Sequence, residues 1–289
     1  IKNIYEKNLL YKGYTVQPYS PAAGSGLSSH ELNQPGAYRE ISDTSVIAQF
    51  KCINDNRSDK FGAMFPFYFL AWTTTPWTLP SNTALTLGEK IEYSFVKTFN
   101  QYTKEKITVV LATSLIKKVF SKNFFNVEDE NDLDIFKVSD SKIPYYITSS
   151  FKGVDFENLK YERIWDEAPL PIENPENAFR VILGDFVTTE DGTGIVHTAP
   201  TFGADDYKAA KSAKPEVPPL LVLDKNGNKV PIVDLKGKFI DDIGMISGKY
   251  VKNEYYKEDK IPEKSVDVEI AIKLKEKNLA FKVERYSHS

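Results

Sequence analysis

Cysteine is almost absent from this sequence. Its 289 residues include one cysteine, Cys52, and three histidines. A single cysteine excludes an internal disulfide and a zinc site built from several thiolates. Such a composition suits a reducing compartment, and we therefore expect a cytoplasmic protein.

The sequence also lacks a marked excess of either charge and any long apolar run. Its 37 Lys and Arg residues nearly balance 40 Asp and Glu residues, which leaves a net charge of −3. A domain that gripped a nucleic-acid backbone by itself would be clearly basic. No apolar run approaches the roughly 20 residues that span a bilayer. We therefore expect no membrane contact and only a minor share of any nucleic-acid binding.

Aromatic residues, by contrast, are plentiful at 13% of the chain, which favours half-buried strands. Apolar patterns predict a helix that Gly13 ends, a helix over 113–120, a helix that starts at Asp205, and one capped by Ser265. They predict strands over 46–52, 64–72, 93–99, 107–112, 179–183, 194–197, 220–223, 229–232 and 281–286. Many short strands with a few helices predict a barrel-like body that is α+β or mixed α/β. The fold class we expect is mixed α/β and strand-rich, with a β-barrel-like core and peripheral helices.

One short segment carries three threonines and two prolines. Thr73, Thr74 and Thr75 end a predicted strand, and Pro76 and Pro80 follow. Proline has no amide hydrogen and a fixed φ, so the segment continues neither a strand nor a regular helix interior. The hydroxyls both donate and accept, which suits a polar cradle for a small ligand. The same residues also fit a proline-stiffened turn that caps a helix, so both interpretations stand.

A second segment joins a histidine to two acids. His197 ends a predicted strand, a loop with glycine and proline follows, and Asp205 and Asp206 begin a helix. The helix dipole favours carboxylates in a first turn. His197 is suited to place a water or an ester oxygen, and Asp206 is suited to hold an ammonium group. The alternative is a hydrogen-bonded structural histidine beside an ordinary helix-terminal acid.

Together, the two segments resemble a known family. Trp-Thr-Thr-Thr-Pro-Trp-Thr-Leu-Pro-Ser-Asn (72–82) and Gly-Thr-Gly-Ile-Val-His-Thr-Ala-Pro-Thr-Phe-Gly-Ala-Asp-Asp-Tyr (192–207) are similar to the threonine-rich and histidine/aspartate motifs of isoleucyl-tRNA synthetase editing domains. The flanks 19–32 and 284–289 resemble the ribbon and the returning strand of this insertion. Valyl- and leucyl-type domains usually continue the double threonine with Arg-Pro-acidic, whereas Trp77 follows Pro76 here.

The resemblance implies a fragment of a larger synthetase. Residues 1–44 would be a connecting ribbon and a helix end, 45–264 the editing core, and 265–289 a helix and strand that return to the synthetic domain. The nucleotide-binding signatures His-Ile-Gly-His and Lys-Met-Ser-Lys-Ser do not occur. ATP and magnesium are therefore expected for the parent enzyme alone. The expected partners are the acceptor end of tRNA(Ile) carrying valine and the rest of the synthetase, and the chain is expected to be monomeric.

The resemblance further implies hydrolysis of valyl-tRNA(Ile), with valyl-adenylate as a further candidate substrate. Asp206 would pair with the substrate ammonium group, and His197 would lie near the valyl side chain. We expect no cofactor and no metal. We also expect no covalent nucleophile, since the sequence has no Gly-x-Ser-x-Gly elbow. The expected catalytic residues are Asp206, His197 and Thr75, and the expected substrate-binding residues are Thr73, Thr74, Thr75, Asn82, His197 and Asp206.

Three other functions fit parts of this pattern. One is a valyl- or leucyl-type editing domain, against which Trp77 argues. Another is a noncatalytic module that binds the acceptor end of tRNA, although the near-neutral charge and the lack of a basic and aromatic stripe weigh against it. A free-standing hydrolase that edits in trans is the third.

Overall fold

The computed structural model describes residues 1–10 and 15–288. The predicted helix end at Gly13 lies outside the described residues. These residues form fourteen strands: β1 (Tyr19–Ser20), β2 (Ser25–Gly26), β3 (Ile41–Lys51), β4 (Phe67–Thr73), β5 (Ala84–Leu87), β6 (Glu92–Phe99), β7 (Lys106–Ala112), β8 (Phe124–Asn126), β9 (Ile143–Lys152), β10 (Arg180–Leu183), β11 (Ile195–Thr198), β12 (Val222–Leu223), β13 (Lys229–Val230) and β14 (Ala280–His288).

Helices are shorter and fewer among the described residues. The α-helices are α1 (Lys2–Glu6), α2 (Ser29–Leu32), α3 (Ile116–Val119), α4 (Ala204–Ser212) and α5 (Val266–Glu276). Single 3₁₀ segments are Asp59–Met64, Pro76–Ser81, Thr113–Leu115, Glu130–Ile135, Gly153–Phe156, Pro175–Asn177, Gly244–Ile246, Asn253–Tyr255 and Glu258–Lys260. In this part of the chain, no helix has the length and apolar composition that crossing a membrane requires.

Ten strands form one large sheet. Its main path runs in the order β10, β5, β11, β4, β7, β6, β9 and β8, while β3 pairs with β4 and β14 pairs with β3. Strand β4 is the branch point because β3 lies antiparallel along it, and β7 and β11 lie parallel to it. Strand-rich mixed α/β architecture is confirmed, but among the described residues the pairing does not close the sheet into a barrel.

The core explains why aromatic residues are so frequent. Phe61, Phe67, Phe95 and Phe156 are fully buried and belong to the largest hydrophobic cluster. The rings of Phe61 and Phe156 stack with centroids 4.9 Å apart, and Phe67 meets Phe95 edge to face at 5.0 Å. Burial of each such side chain contributes roughly 1.5–3 kcal/mol. These rings fix the strands that carry the candidate site.

Most predicted elements are present, with shifted ends. The predicted hairpin of 93–99 with 107–112 is the antiparallel pair β6–β7. Strand β4 begins at Phe67 rather than at residue 64, because Met64 ends a 3₁₀ segment and Pro66 has no amide hydrogen to give a sheet. Helix α5 does begin after Ser265, although the Ser265 side chain makes no cap hydrogen bond.

Candidate functional site

The two predicted motifs meet at one edge of the sheet. Strand β4 ends at Thr73 and strand β11 ends at Thr198, and the two strands pair in parallel with Val196 opposite Trp72. Parallel strands end at the same edge, so the segments that follow them leave side by side. The backbone N–H of Thr83 also donates to the Thr198 carbonyl at 3.1 Å, which ties the segments together.

The threonine segment folds into a tight turn. The Thr75 N–H donates to the Thr73 hydroxyl oxygen at 3.1 Å, and the two hydroxyl oxygens are 3.3 Å apart. A 3₁₀ helix then begins at Pro76, whose missing amide hydrogen costs nothing at a first position. Thr78 donates to the Thr75 carbonyl through its amide at 2.9 Å and its hydroxyl at 2.8 Å. The proline-stiffened turn is therefore confirmed, but the Thr75 side chain makes no cap hydrogen bond to the helix that follows.

The imidazole of His197 is buried, and both of its nitrogens have partners. Its Nδ1 lies 2.8 Å from the Asn82 amide nitrogen, and its Nε2 lies 3.0 Å from the Thr78 hydroxyl. The same amide nitrogen donates to the Ala84 carbonyl at 2.8 Å. The Asn82 carbonyl oxygen accepts from the Tyr161 hydroxyl at 2.6 Å.

These contacts assign a direction to every proton. Because Asn82 donates to Nδ1 of His197, that nitrogen accepts, and Nε2 must carry the proton of the neutral ring. Nε2 then donates to Thr78, which donates to the Thr75 carbonyl. The result is one directed chain, Tyr161 to Asn82 to His197 to Thr78 to Thr75. Burial also lowers the pKa of His197 to about 4, so the ring is neutral at pH 7.

Asp206 lies beside the same loop, in the first turn of α4. Its Oδ2 accepts from the Ala199 N–H at 2.9 Å, two residues beyond His197. A carboxylate has about four acceptor positions, so it retains capacity for a cation. Burial raises the pKa of Asp206, and the Ala199 N–H acts in the opposite direction. A Cβ on Gly203 would come within 2.7 Å of the carboxylate, so this position is sterically matched to glycine.

A cavity of about 500 Å³ is lined in part by Trp77 of the threonine segment and by Thr201, Phe202 and Ala204 of the segment before Asp206. That volume lies in the range of small-molecule sites. The rings of Trp77 and Phe202 meet edge to face at 4.9 Å on its wall. The predicted site residues Thr73, Thr74, Thr75, Asn82, His197 and Asp206 do not line this cavity, although Thr75 and Asp206 each stand two positions along the chain from a residue that does. Residues that line the cavity include Tyr19, Trp77, Thr201, Phe202, Ala204 and Tyr255.

The structure thus brings most of the predicted set together. Hydrogen bonds link four of these residues directly or through Thr78, namely Thr73, Thr75, Asn82 and His197. Asp206 accepts from the N–H of Ala199, two residues after His197. Thr74 is half-buried next to them in the turn. Their catalytic and binding roles stay predictions.

Sequence reasoning missed three residues that hold this site. They are Thr78 and Tyr161 of the directed chain and Asp267, which accepts from the Trp77 N–H at 2.8 Å. Thr78 stood within a quoted motif, but nothing in the sequence singled it out. Tyr161 and Asp267 lie far along the chain from their partners, in segments without a motif.

Two features of the described part of the chain concern what a metal site or a reactive thiol requires. No three His, Cys, Asp or Glu side chains among residues 1–10 and 15–288 are grouped as a metal site requires. Cys52 is buried in the core, and burial raises the pKa of its thiol. Metal-independent hydrolysis without a covalent nucleophile stays a prediction.

Solved structures show the class of fold. The cytosolic leucyl-tRNA synthetase editing domain of P. knowlesi aligns with 87% of this chain and 98% of its own, with a TM-score of 0.54 and 10% identity. The GlLeuRS-CP1 crystal structure aligns with 84% of this chain and 99% of its own, with a TM-score of 0.52 and 14% identity. The fold is therefore that of synthetase editing domains.

Sequence relatives then give the family. The isoleucine–tRNA ligase of Cytophaga hutchinsonii is 51% identical, and that of Bacteroides fragilis is 48% identical, over the whole of this chain. The ligase of Clostridium tetani is 35% identical over the same extent. A scan against protein-family models finds no match. The chain belongs to the isoleucine–tRNA ligase family, and it spans about 26% of the length of the first two relatives.

Proposed function

We propose that the chain is the editing domain of an isoleucyl-tRNA synthetase and hydrolyses the ester of valine wrongly attached to tRNA(Ile). The main support is the meeting of the two motifs at one sheet edge, where hydrogen bonds join Thr75 to His197 through Thr78, and Asp206 binds the loop that follows His197. Valyl-adenylate is a further candidate substrate. The rest of the synthetase and the tRNA acceptor end are the partners that this function requires.

Such a site is needed because isoleucine and valine differ by only one methylene group. In an apolar pocket it is worth only about 1–3 kcal/mol, a limit for which isoleucine and valine are themselves the usual worked example. A second site that admits valine but not isoleucine supplies the missing discrimination. The site must recognise an ammonium group, exclude one methylene and deliver water.

Each group has a task in this proposal. Asp206 supplies the negative charge that pairs with the α-ammonium group of the substrate. A hydroxyl of the Thr73 and Thr75 pair donates to the ester oxygen as charge develops on it, and such donation is the largest single contribution in many acyl-transfer sites. His197, neutral and bonded at both nitrogens, forms a rigid part of the side-chain wall and holds Thr78 in place. A water positioned among these groups is the nucleophile.

A deacylation panel tests this proposal. The chain is mixed with tRNA(Ile) charged with valine or with isoleucine, and with tRNAs charged with valine or leucine by their own enzymes. We expect cleavage of valyl-tRNA(Ile) to exceed that of isoleucyl-tRNA(Ile) by at least about tenfold, the ratio that one methylene supplies. Binding without cleavage would instead support the noncatalytic module, and preferred cleavage of another charged tRNA would support a sister type of editing domain.

Adding one methyl group at Gly203 is expected to weaken this activity. In the Gly203→Ala variant, the new Cβ would lie 2.7 Å from the Asp206 carboxylate, which must move away from the Ala199 N–H. Overpacking of this kind costs about 1–3 kcal/mol, so kcat/KM for valyl-tRNA(Ile) should fall roughly tenfold. The matched control is Gly62→Ala, where a Cβ meets nothing within 4 Å. Equal activity of the two variants would contradict the proposed placement of Asp206.

A further inference from the structure

One carboxylate outside both motifs reaches into the threonine segment. Asp267 lies in the first turn of α5 and is only 3% exposed. Its Oδ1 accepts from the Trp77 N–H at 2.8 Å. Trp77 is the second residue of the 3₁₀ helix, and the first amides of a helix have no partner within it. Asp267 therefore satisfies a donor that the fold would otherwise leave unpaired.

A lysine compensates the buried charge. Nζ of Lys252 lies 3.3 Å from Oδ2 of Asp267 and 3.0 Å from Oδ2 of Asp43. A buried carboxylate without a cation is strongly unfavourable, so this contact keeps Asp267 ionised in place. The two oxygens of Asp267 thus have different tasks, since one holds the Trp77 amide and the other is neutralised by Lys252.

The amide that Asp267 holds belongs to the wall of the cavity. The Trp77 ring packs against Phe202 and lines the cavity, two positions after Thr75. Phe202 in turn lies in the loop between His197 and Asp206. The backbone position of Trp77 therefore decides how the threonine turn and the aspartate loop are spaced.

We infer that Asp267, neutralised by Lys252, is a positioning residue for the proposed deacylation. It fixes the start of the 3₁₀ helix so that the Trp77 wall and the threonine turn keep their distance from the loop that carries Asp206. This inference rests on the proposed function and extends it to a helix outside both motifs.

The test uses Asp267→Asn in the 289-residue chain, with Glu269→Gln as the matched control. An asparagine cannot satisfy both neighbours, because whichever way its amide turns, a donor faces either Lys252 or the Trp77 N–H. Glu269 lies on the same helix, and its carboxylate pairs with Lys249 at 2.8 Å rather than with the amide of Trp77. Hydrogen exchange of the Trp77 amide is followed by NMR, and kcat and KM are measured on valyl-tRNA(Ile).

We expect Asp267→Asn to speed exchange of the Trp77 amide about tenfold and to lower kcat about tenfold, the effect of losing one charge-assisted hydrogen bond. Glu269→Gln should change neither quantity, at a similar melting temperature. The paired variant Asp267→Asn with Lys252→Gln removes one charge of each sign from the cluster, keeps Asp43, and serves if the single variant does not fold. Unchanged exchange, or faster exchange with an unchanged kcat, would overturn the inference. An unmodified chain that cleaves no valyl ester would overturn the proposed function itself.

Discussion

Replacing Asp206 with asparagine is expected to slow the hydrolysis of valyl-tRNA(Ile) about a hundredfold, while the chain stays folded. The asparagine oxygen can still accept from the Ala199 N–H, so the loop keeps its hydrogen bond. The side chain loses the charge that, in the proposed function, pairs with the substrate ammonium group. Removal of one partner from a partly desolvated charge pair costs about 3 kcal/mol, which corresponds to a factor of roughly one hundred.

Asp205 provides a matched control for this experiment. It lies in the same helical turn, is exposed, and pairs with Lys208 at 3.1 Å. Asp205→Asn therefore removes the same charge from the same helix terminus without touching the Ala199 loop. Deacylation rates of both variants are measured on valyl-tRNA(Ile), together with their melting temperatures. A loss of equal size in the two variants would show that the net charge of this terminus, and not Asp206, supports the reaction.

The sequence predicted well those features that depend on neighbouring residues. Continuous apolar runs predicted β4, β6 and β7, because side chains buried on both faces of a sheet leave that pattern. The proline turn after Thr75 followed from the geometry of proline alone. The pairing of His197 with the threonine segment was suggested only by the resemblance, since composition does not say which strands become neighbours.

Long-range contacts could not be predicted in this way. Tyr161 reaches Asn82 across 79 positions, and Asp267 reaches Trp77 across 190. Neither residue carries a local signal, because a single buried tyrosine or a helix-terminal acid is ordinary in sequence. That the barrel-like core is an unclosed sheet among the described residues could not be predicted for a related reason. Closure of a sheet depends on how its edge strands meet, and the pattern within each strand contains no information on that.

The directed hydrogen-bond chain from Tyr161 to Thr75 holds His197 in the site. A buried polar network is stabilising only when every member has a partner, and Tyr161, Asn82, His197 and Thr78 meet that condition. The proton on Nε2 is part of this arrangement. A second proton on Nδ1 would confront the Asn82 amide, which already donates there. Protonation of His197 is therefore coupled to the stability of the fold.

This coupling predicts a stability that depends on pH through His197. The pKa of the ring is about 4 in the folded chain and about 6.5 when it is exposed. As the pH falls below 6.5, the unfolded chain takes up the proton first, so the free energy of unfolding decreases until the pH passes the folded value of about 4. The stabilisation is thus complete above pH 6.5. The full loss corresponds to about 3 kcal/mol.

The His197→Gln variant isolates this contribution, because glutamine offers an acceptor and a donor but cannot be protonated. Urea unfolding is measured for the unmodified chain and for the His197→Gln variant at pH 7 and at pH 4. Between these two pH values the free energy of unfolding should decrease by about 3 kcal/mol more in the unmodified chain than in the variant. Asp267, whose pKa burial raises to about 6, has the opposite pH dependence, but it cancels because both chains contain it. His30→Gln changes an exposed histidine and is the control. Equal pH dependence in all three chains would mean that His197 accepts a proton in the folded state without cost, which the donation from Asn82 does not allow.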